Sequence, residues 1–122
     1  MAILGNYMKF EPLRSLAYGD ITTSYVAIGD TPTIDSINQW IITNATDQLL
    51  FFSFNGIDDH IVLFSNTHFV NDITSNKSTN HLFLGAGEYI YVKYSGTEPT
   101  KGAVYFSTMY GTVKGTANNT VL

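Results

Sequence analysis

Short runs of β-branched and aromatic residues, each cut off by a turn signal, dominate this chain and leave no room for helices. No segment keeps a helical period over the roughly 10 to 12 residues a helix needs. ITTSYVAI (residues 21–28) stops at GDTPT, where Gly29 and Pro32 interrupt pairing. INQWIIT (37–43) sets Ile37, Gln39, Ile41 and Thr43 on one face of a strand and Asn38, Trp40 and Ile42 on the other. After the turn NATD comes QLLFFSF (48–54), apolar on both faces, as expected of an interior strand covered on each side. HIVLF (60–64), HFVNDIT (68–74), LFL (82–84), EYIYVKY (88–94) and AVYFSTMY (103–110) follow, parted by NGIDD, SNT, SNKSTNH, GAG and SGTEPTKG. In EYIYVKY, Tyr89, Tyr91 and Lys93 share one face, and Glu88, Ile90, Val92 and Tyr94 the other. The pattern predicts an all-β fold: an antiparallel β-sandwich of about eight short strands, jelly-roll-like, with Ig-like and small-barrel topologies as the alternatives.

The 122 residues make one domain. We expect an N-terminal arm over 1–18, the sandwich over 19–111 and a C-terminal tail over 112–122. The first flank carries Ile3, Leu4, Tyr7, Met8, Phe10 and Leu13 without a clean period. Apolar residues in an aperiodic flank either pack on their own domain or are held by neighbouring chains. These six, with Tyr89 and Tyr91, are the candidate protein-interaction residues.

Charged residues make up only 13% of the chain, so its surface must be made polar by Asn, Thr, Ser and Gly. The net charge is −4, and the six basic residues (Lys9, Arg14, Lys77, Lys93, Lys101, Lys114) stand singly. Without a basic stripe the sequence offers no electrostatic footprint for nucleic acid, and no nucleic-acid partner is expected. No apolar run approaches the roughly 18 residues that cross a bilayer, nor does MAILGNYMKFEP read as a signal peptide, so no membrane association is expected. Cysteine is absent, which excludes disulfides, zinc–thiolate sites and thiol catalysis.

FNGIDDHIVLF (54–64) is the segment most open to a chemical reading. Asp58 and His60 share a side of an extended chain, and His68 and Asp72 across the SNT turn could approach them to hold a transition metal. The competing reading makes Asn55, Gly56, Asp58 and Asp59 turn formers, with His60 and His68 opening strands at the solvent edge. The second reading is preferred, because no pair of histidines one residue apart occurs. Asp47, Asp58, Asp59, Asp72 and Glu88 could pair as glycosidase carboxylates, but nearly all sit beside turn signals. There is no Gly-x-Ser-x-Gly elbow and no phosphate-binding glycine loop. The expectation is therefore a non-enzyme with no catalytic, cofactor-binding or metal residues and no cofactor. Tyr89, Tyr91, Tyr105 and Tyr110 with Trp40 could form a sugar-stacking face, making carbohydrate a possible ligand; ordinary strand packing is the alternative.

The segments SYVAIGD, IITNATDQLLFFSFNGIDDH, DITSNKS and YVKYSGTEPTKGAVYFSTMYG, in that order, resemble a group of short virion structural proteins of tailed bacteriophages. The shared elements are a strand ending in IGD, a strand–turn–strand giving SF-N/D-G and then D-H, a D-x-T-S-N-K loop, and a closing G-A-V-Y strand. The resemblance runs from Ser24 to Gly111 and leaves the flanks uncovered. It departs after Asp59–His60, where IVLFSNTH stands in place of a Leu-Pro-Ala-like turn, and no residue's role is carried over. The resemblance implies a virion component assembled in the host bacterial cytoplasm: a capsid cement or decoration protein that contacts the major capsid protein or other virion proteins and forms homo-oligomers. A head–tail or tail-associated component, or a carbohydrate-binding adhesion module on the particle, are the alternatives.

Overall fold

A computed structural model describes residues 5–72 and 84–114 of the chain. They form two antiparallel sheets. The larger holds β1 (Gly5–Phe10), β2 (Arg14–Ala17), β4 (Gln39–Asn44), β7 (Thr67–Asp72) and β9 (Ala103–Lys114). The smaller holds β3 (Val26–Ala27), β5 (Leu50–Ser53), β6 (Ile61–Leu63) and β8 (Tyr91–Lys93). The predicted all-β sandwich is what forms.

Its topology is that of a long hairpin rolled up on itself. β2 pairs with β9, β3 with β8, β4 with β7 and β5 with β6, all antiparallel. Rolling then brings β4 against β9 and β5 against β8, which closes the two sheets in the orders β1-β9-β4-β7 and β3-β8-β5-β6. This nested pairing is the strand order of a jelly roll. Because β1 and β2 both pair with β9 at different heights, β9 runs for 12 residues, twice the length of β4. Its register with β4 stops at Met109, so Tyr110–Lys114 continue beyond the sandwich paired with Gly5–Lys9 as a two-stranded ribbon.

The alternation read from the sequence places the core. Trp40, Ile42 and Asn44 on β4 are buried, while Gln39, Ile41 and Thr43 between them are only half-buried. Val104 and Phe106 on β9 oppose Asn44 and Ile42 and meet Leu50, Phe52, Ile90 and Val92 from the smaller sheet. Each such side chain contributes about 1.5–3 kcal/mol by leaving water. Phe52, fully buried, would cost about 3–5 kcal/mol if cut back to alanine. Asn44 is the polar member of this layer, and its amide joins the two ends of the β4–β6 region. Its Nδ2 donates to the carbonyls of Gln48 and Leu63 at 2.9 and 3.0 Å, and its Oδ1 accepts from the Thr46 backbone and hydroxyl.

Three expectations change in detail. Residues 21–28 do not form one strand; only Val26 and Ala27 do. The Thr22 hydroxyl donates to the Ser24 carbonyl and accepts the Ser24 N–H, a local turn that competes with the sheet ladder. β5 lies between β8 and β6 as an interior strand, but only its core side is fully covered; Phe51 on the outer side stays half-buried. Of the expected 82–84 strand, Leu84 forms a single bridge with Ile37, and residues 82 and 83 lie outside the described residues.

The expected arm over 1–18 is, where described, two strands of the larger sheet. Glu11, between them, and Arg14, the first residue of β2, are buried at 6% and 5% exposure. Arg14 donates to the carbonyls of Thr31 and Pro32, to the Thr108 hydroxyl and to Glu11, whose carboxylate accepts the N–H groups of Ile34 and Asp35. Burial works to raise the Glu11 pKa, but the hydrogen bonds from Asp35, Arg14 and Ile34 outweigh it and hold the group below its ordinary value. Residues 11–17 thus belong to the sandwich, and only the β1 ribbon projects from it. The tail over 112–122 is described as far as Lys114, within β9.

Candidate interaction faces

Among the described residues, two outer sheet faces and the β1 ribbon carry exposed side chains. On the smaller sheet, residues opposite one another share a face, so the burial of Phe52 and Val92 in the core turns Phe51, Val62, Tyr91 and Lys93 outward. Asp59, just before β6, reaches this face and accepts hydrogen bonds from two directions. The Tyr25 hydroxyl donates to its Oδ1, and Lys93 Nζ lies 3.2 Å from the same oxygen. Lys93 also sits 4.7 Å from the centre of the Tyr25 ring, a cation–π contact. The Tyr25 and Lys93 hydrogen bonds hold the Asp59 carboxyl below the usual carboxylate range. Burial, and then the Asp59 carboxylate, push the Tyr25 phenol well above its ordinary value.

Tyr89 and Tyr91 stand beside this triad with ring centres 6.0 Å apart, both half-buried. Gly56 packs against Tyr91: a Cβ there would lie 3.6 Å from the ring, and φ of +75° already favours glycine. The remaining aromatics of the expected sugar-stacking face are dispersed. Trp40 is in the core, edge-on to Phe54 at 5.2 Å. Tyr110 packs against the core, and Tyr105, opposite Thr43, belongs to the outer face of the larger sheet. The five-residue platform is therefore not assembled; of the five, Tyr89 and Tyr91 come together.

The segment FNGIDDH resolves as a polar bend. The Ser53 hydroxyl accepts the N–H groups of Asn55 and Gly56, and the Asn55 side-chain oxygen accepts those of Ile57 and Asp58. Asn55 Nδ2 donates to Asp58, and His60 Nδ1 accepts the Phe54 N–H at 3.0 Å. These side chains satisfy the turn's own backbone. His68 lies on β7, in the other sheet, opposite Thr43. Among the described residues no three His, Cys, Asp or Glu side chains gather as a metal site. A shallow depression of about 170 Å³ lies over Phe51, Asp59, His60, Ile61 and Val62.

The outer face of the larger sheet is more apolar than the sequence pattern suggests. Ile41 opposes Val70 on one side and Ser107 on the other, and Met109 lies between Gln39 and Phe10. Phe10 is 67% exposed and Leu13 58%, and Met8 and Val70 are nearly half exposed. Of the other candidate interaction residues, Tyr7 contributes its backbone to β1, opposite Thr112, while its side chain lies outside the described part. Ile3 and Leu4 lie outside the described residues. Residues missed in the sequence are Asp59, Tyr25 and Lys93 as a unit. Only the outward parity of Lys93 in EYIYVKY hinted at it, since Tyr25 and Asp59 are 34 positions apart.

Comparison with protein-family models, with curated proteins and with solved structures gave no match in any of the three.

Proposed function

We propose that this chain is a non-enzymatic structural component of a tailed-bacteriophage virion, a cement or decoration protein that binds and stabilises neighbouring shell subunits. The order of motifs from Ser24 to Gly111 supports the setting. The single observation that carries the binding role is the exposure of Met8, Phe10 and Leu13 along and just after the β1 ribbon. Met8 on the projecting ribbon, with Phe10 and Leu13 where the chain enters the sandwich, gives an exposed apolar strip that suits an anchor inserting between adjacent proteins. The major capsid protein is the expected partner, and the virion the expected location.

The test is occupancy on purified particles. A Met8→Ser/Phe10→Ser/Leu13→Ser variant should fold, because all three positions are exposed, and should fail to bind particles that lack the protein. Wild-type occupancy of that variant would reject the anchor. A cryo-EM map with many copies on the shell fits cement, whereas a few copies at the neck or tail would move the assignment to a head–tail or tail component.

The Tyr89–Tyr91 pair favours a second reading, an adhesion module that stacks sugar rings. Titration with host surface polysaccharide giving no saturable signal would remove it.

A further inference from the structure

Asn55–Gly56 is the single Asn–Gly pair in the chain, and it stands in the bend between β5 and β6 with Asn55 exposed. Such a pair is chemically labile. The glycine nitrogen, once it loses its proton, attacks the asparagine side-chain carbonyl carbon. A C–N bond forms to close a succinimide ring, and the bond to Nδ2 breaks, so that ammonia leaves. Water then opens the ring at one of its two carbonyls. The product is aspartate or, where the main chain is rerouted through the side chain, isoaspartate. Glycine favours the closure because no Cβ hinders its nitrogen. The bend nevertheless asks for glycine, since φ at Gly56 is +75°.

Every group in that reaction is engaged elsewhere in the fold. The Gly56 N–H donates to the Ser53 hydroxyl at 2.9 Å, so the nucleophile keeps its proton. Asn55 Oδ1 accepts the Ser53 hydroxyl and the N–H groups of Ile57 and Asp58, each at 2.9 Å, and Nδ2 donates to Asp58 at 2.8 Å. Ser53 also accepts the Asn55 N–H at 3.2 Å, which uses the hydroxyl's donor and both of its acceptor positions. Ser53 is fully buried, so this hydroxyl is fixed in the sandwich while the labile amide lies at the surface. We infer that Asn55 is a site of spontaneous deamidation that the β5–β6 bend keeps closed, with Ser53 as the latch. The reaction then runs through local opening of the bend. A copy that has opened acquires a permanent extra carboxylate beside Asp58, and a closed copy keeps its amide. This needs only the chain itself and stands apart from the particle assignment.

The experiment incubates the full chain near neutral pH and follows position 55 by peptide mapping, with the aspartate and isoaspartate products separated. Folded wild type should deamidate at least about tenfold more slowly than wild type in urea, because several hydrogen bonds must open first. Ser53→Ala, checked for folding by circular dichroism, should raise the folded rate about tenfold or more. Asp58→Ala leaves the Ser53 bonds in place and should raise it less. If Ser53→Ala does not fold, hydrogen exchange of the Gly56 amide in the wild type takes its place, and its protection should match the ratio of unfolded to folded deamidation rates. Equal rates for folded and unfolded wild type overturn the inference. So does a folded rate above the unfolded one, which would mean that the donors on Oδ1 polarise the carbonyl and promote attack. A folded Ser53→Ala as slow as wild type, a larger rise in Asp58→Ala, or a Gly56 amide exchanging without protection each removes Ser53 as the latch.

Discussion

Arg14 and Glu11 meet at 3.0 Å with their side chains 5% and 1% exposed, and between them they hold the residue 31–35 loop against β9. The pair turns the chain from the projecting ribbon into the sandwich. Glu11→Ala would leave the Arg14 guanidinium buried without its counter-charge and the Ile34 and Asp35 N–H groups without their acceptor. Removing one partner of a buried pair costs about 3–5 kcal/mol. Urea denaturation should show a loss of that size, with an unchanged slope. By the same reasoning, deleting residues 1–14 should unfold the domain, whereas deleting 1–9 should leave it folded; thermal melts of both truncations distinguish the two.

The pair also sets an acid sensitivity. The folded pKa of Glu11 lies below the ordinary 4.5, so its contribution is present above that pH and is lost as the pH falls through the folded value. Asp35 acts in the opposite sense. Burial, then its contact with the Glu11 carboxylate, raises its pKa, so the stability it contributes is present below its ordinary value of 3.8 and is lost as the pH rises through the folded value. The depressed group is the more deeply buried of the two and should dominate. Stability measured in urea should therefore fall as pH drops below about 4.5, and Glu11→Gln should flatten that fall.

Most of the sandwich is legible in the order of residues. The alternation in INQWIIT and EYIYVKY separates buried Trp40 and Ile42 from half-buried Gln39, Ile41 and Thr43, and buried Ile90 and Val92 from half-buried Tyr89, Tyr91 and Lys93, because a strand's side chains repeat with a period of two. Which face is the core does not follow from the parity alone, and Ile37, on the outward parity, is fully buried. The ladder of residues 21–28 was misread because a run of β-branched residues looks like a strand even where a threonine hydroxyl closes a turn instead. The Tyr25–Asp59–Lys93 unit was invisible, since it depends on which strands become neighbours and not on any local spacing. Glu11 and Arg14 were hidden for a related reason: in sequence they look like a solvated charge pair on a flank. Their burial comes from the strands on either side pairing with β9.

The Tyr25–Asp59–Lys93 unit should matter for titration far more than for stability. Asp59 is exposed, and water screens a pair of this kind so that it adds little to stability. Asp59→Asn should leave the melting temperature almost unchanged and bring the Tyr25 phenol part of the way back toward its ordinary 10.0, the remainder being due to burial and then to the Asp58 charge. Carbon-13 NMR of the tyrosine ring across an alkaline titration reads that shift directly.

Gly102 and Gly87 separate backbone strain from steric clash. Both have positive φ, +92° and +83°. A Cβ at Gly102 would sit 2.0 Å from the Ala45 carbonyl oxygen, whereas one at Gly87 meets nothing within 4 Å. Gly87→Ala should cost about 1–2 kcal/mol for the left-handed conformation alone. Gly102→Ala must also push the β4–β5 turn aside and should cost clearly more, measured as the difference in urea midpoints. Equal losses would mean that the turn moves freely.

Nested pairing makes β9 the keystone of assembly in time as well as in space. Strands β1, β2 and β4 all take it as a partner, so the larger sheet cannot close until residues 103–114 have left the ribosome. Until then the nascent chain displays three unsatisfied ladders. Such late, long-range closure makes for slow folding and leaves half-made chains vulnerable to clumping, which gives the cell's chaperones their longest window on this protein.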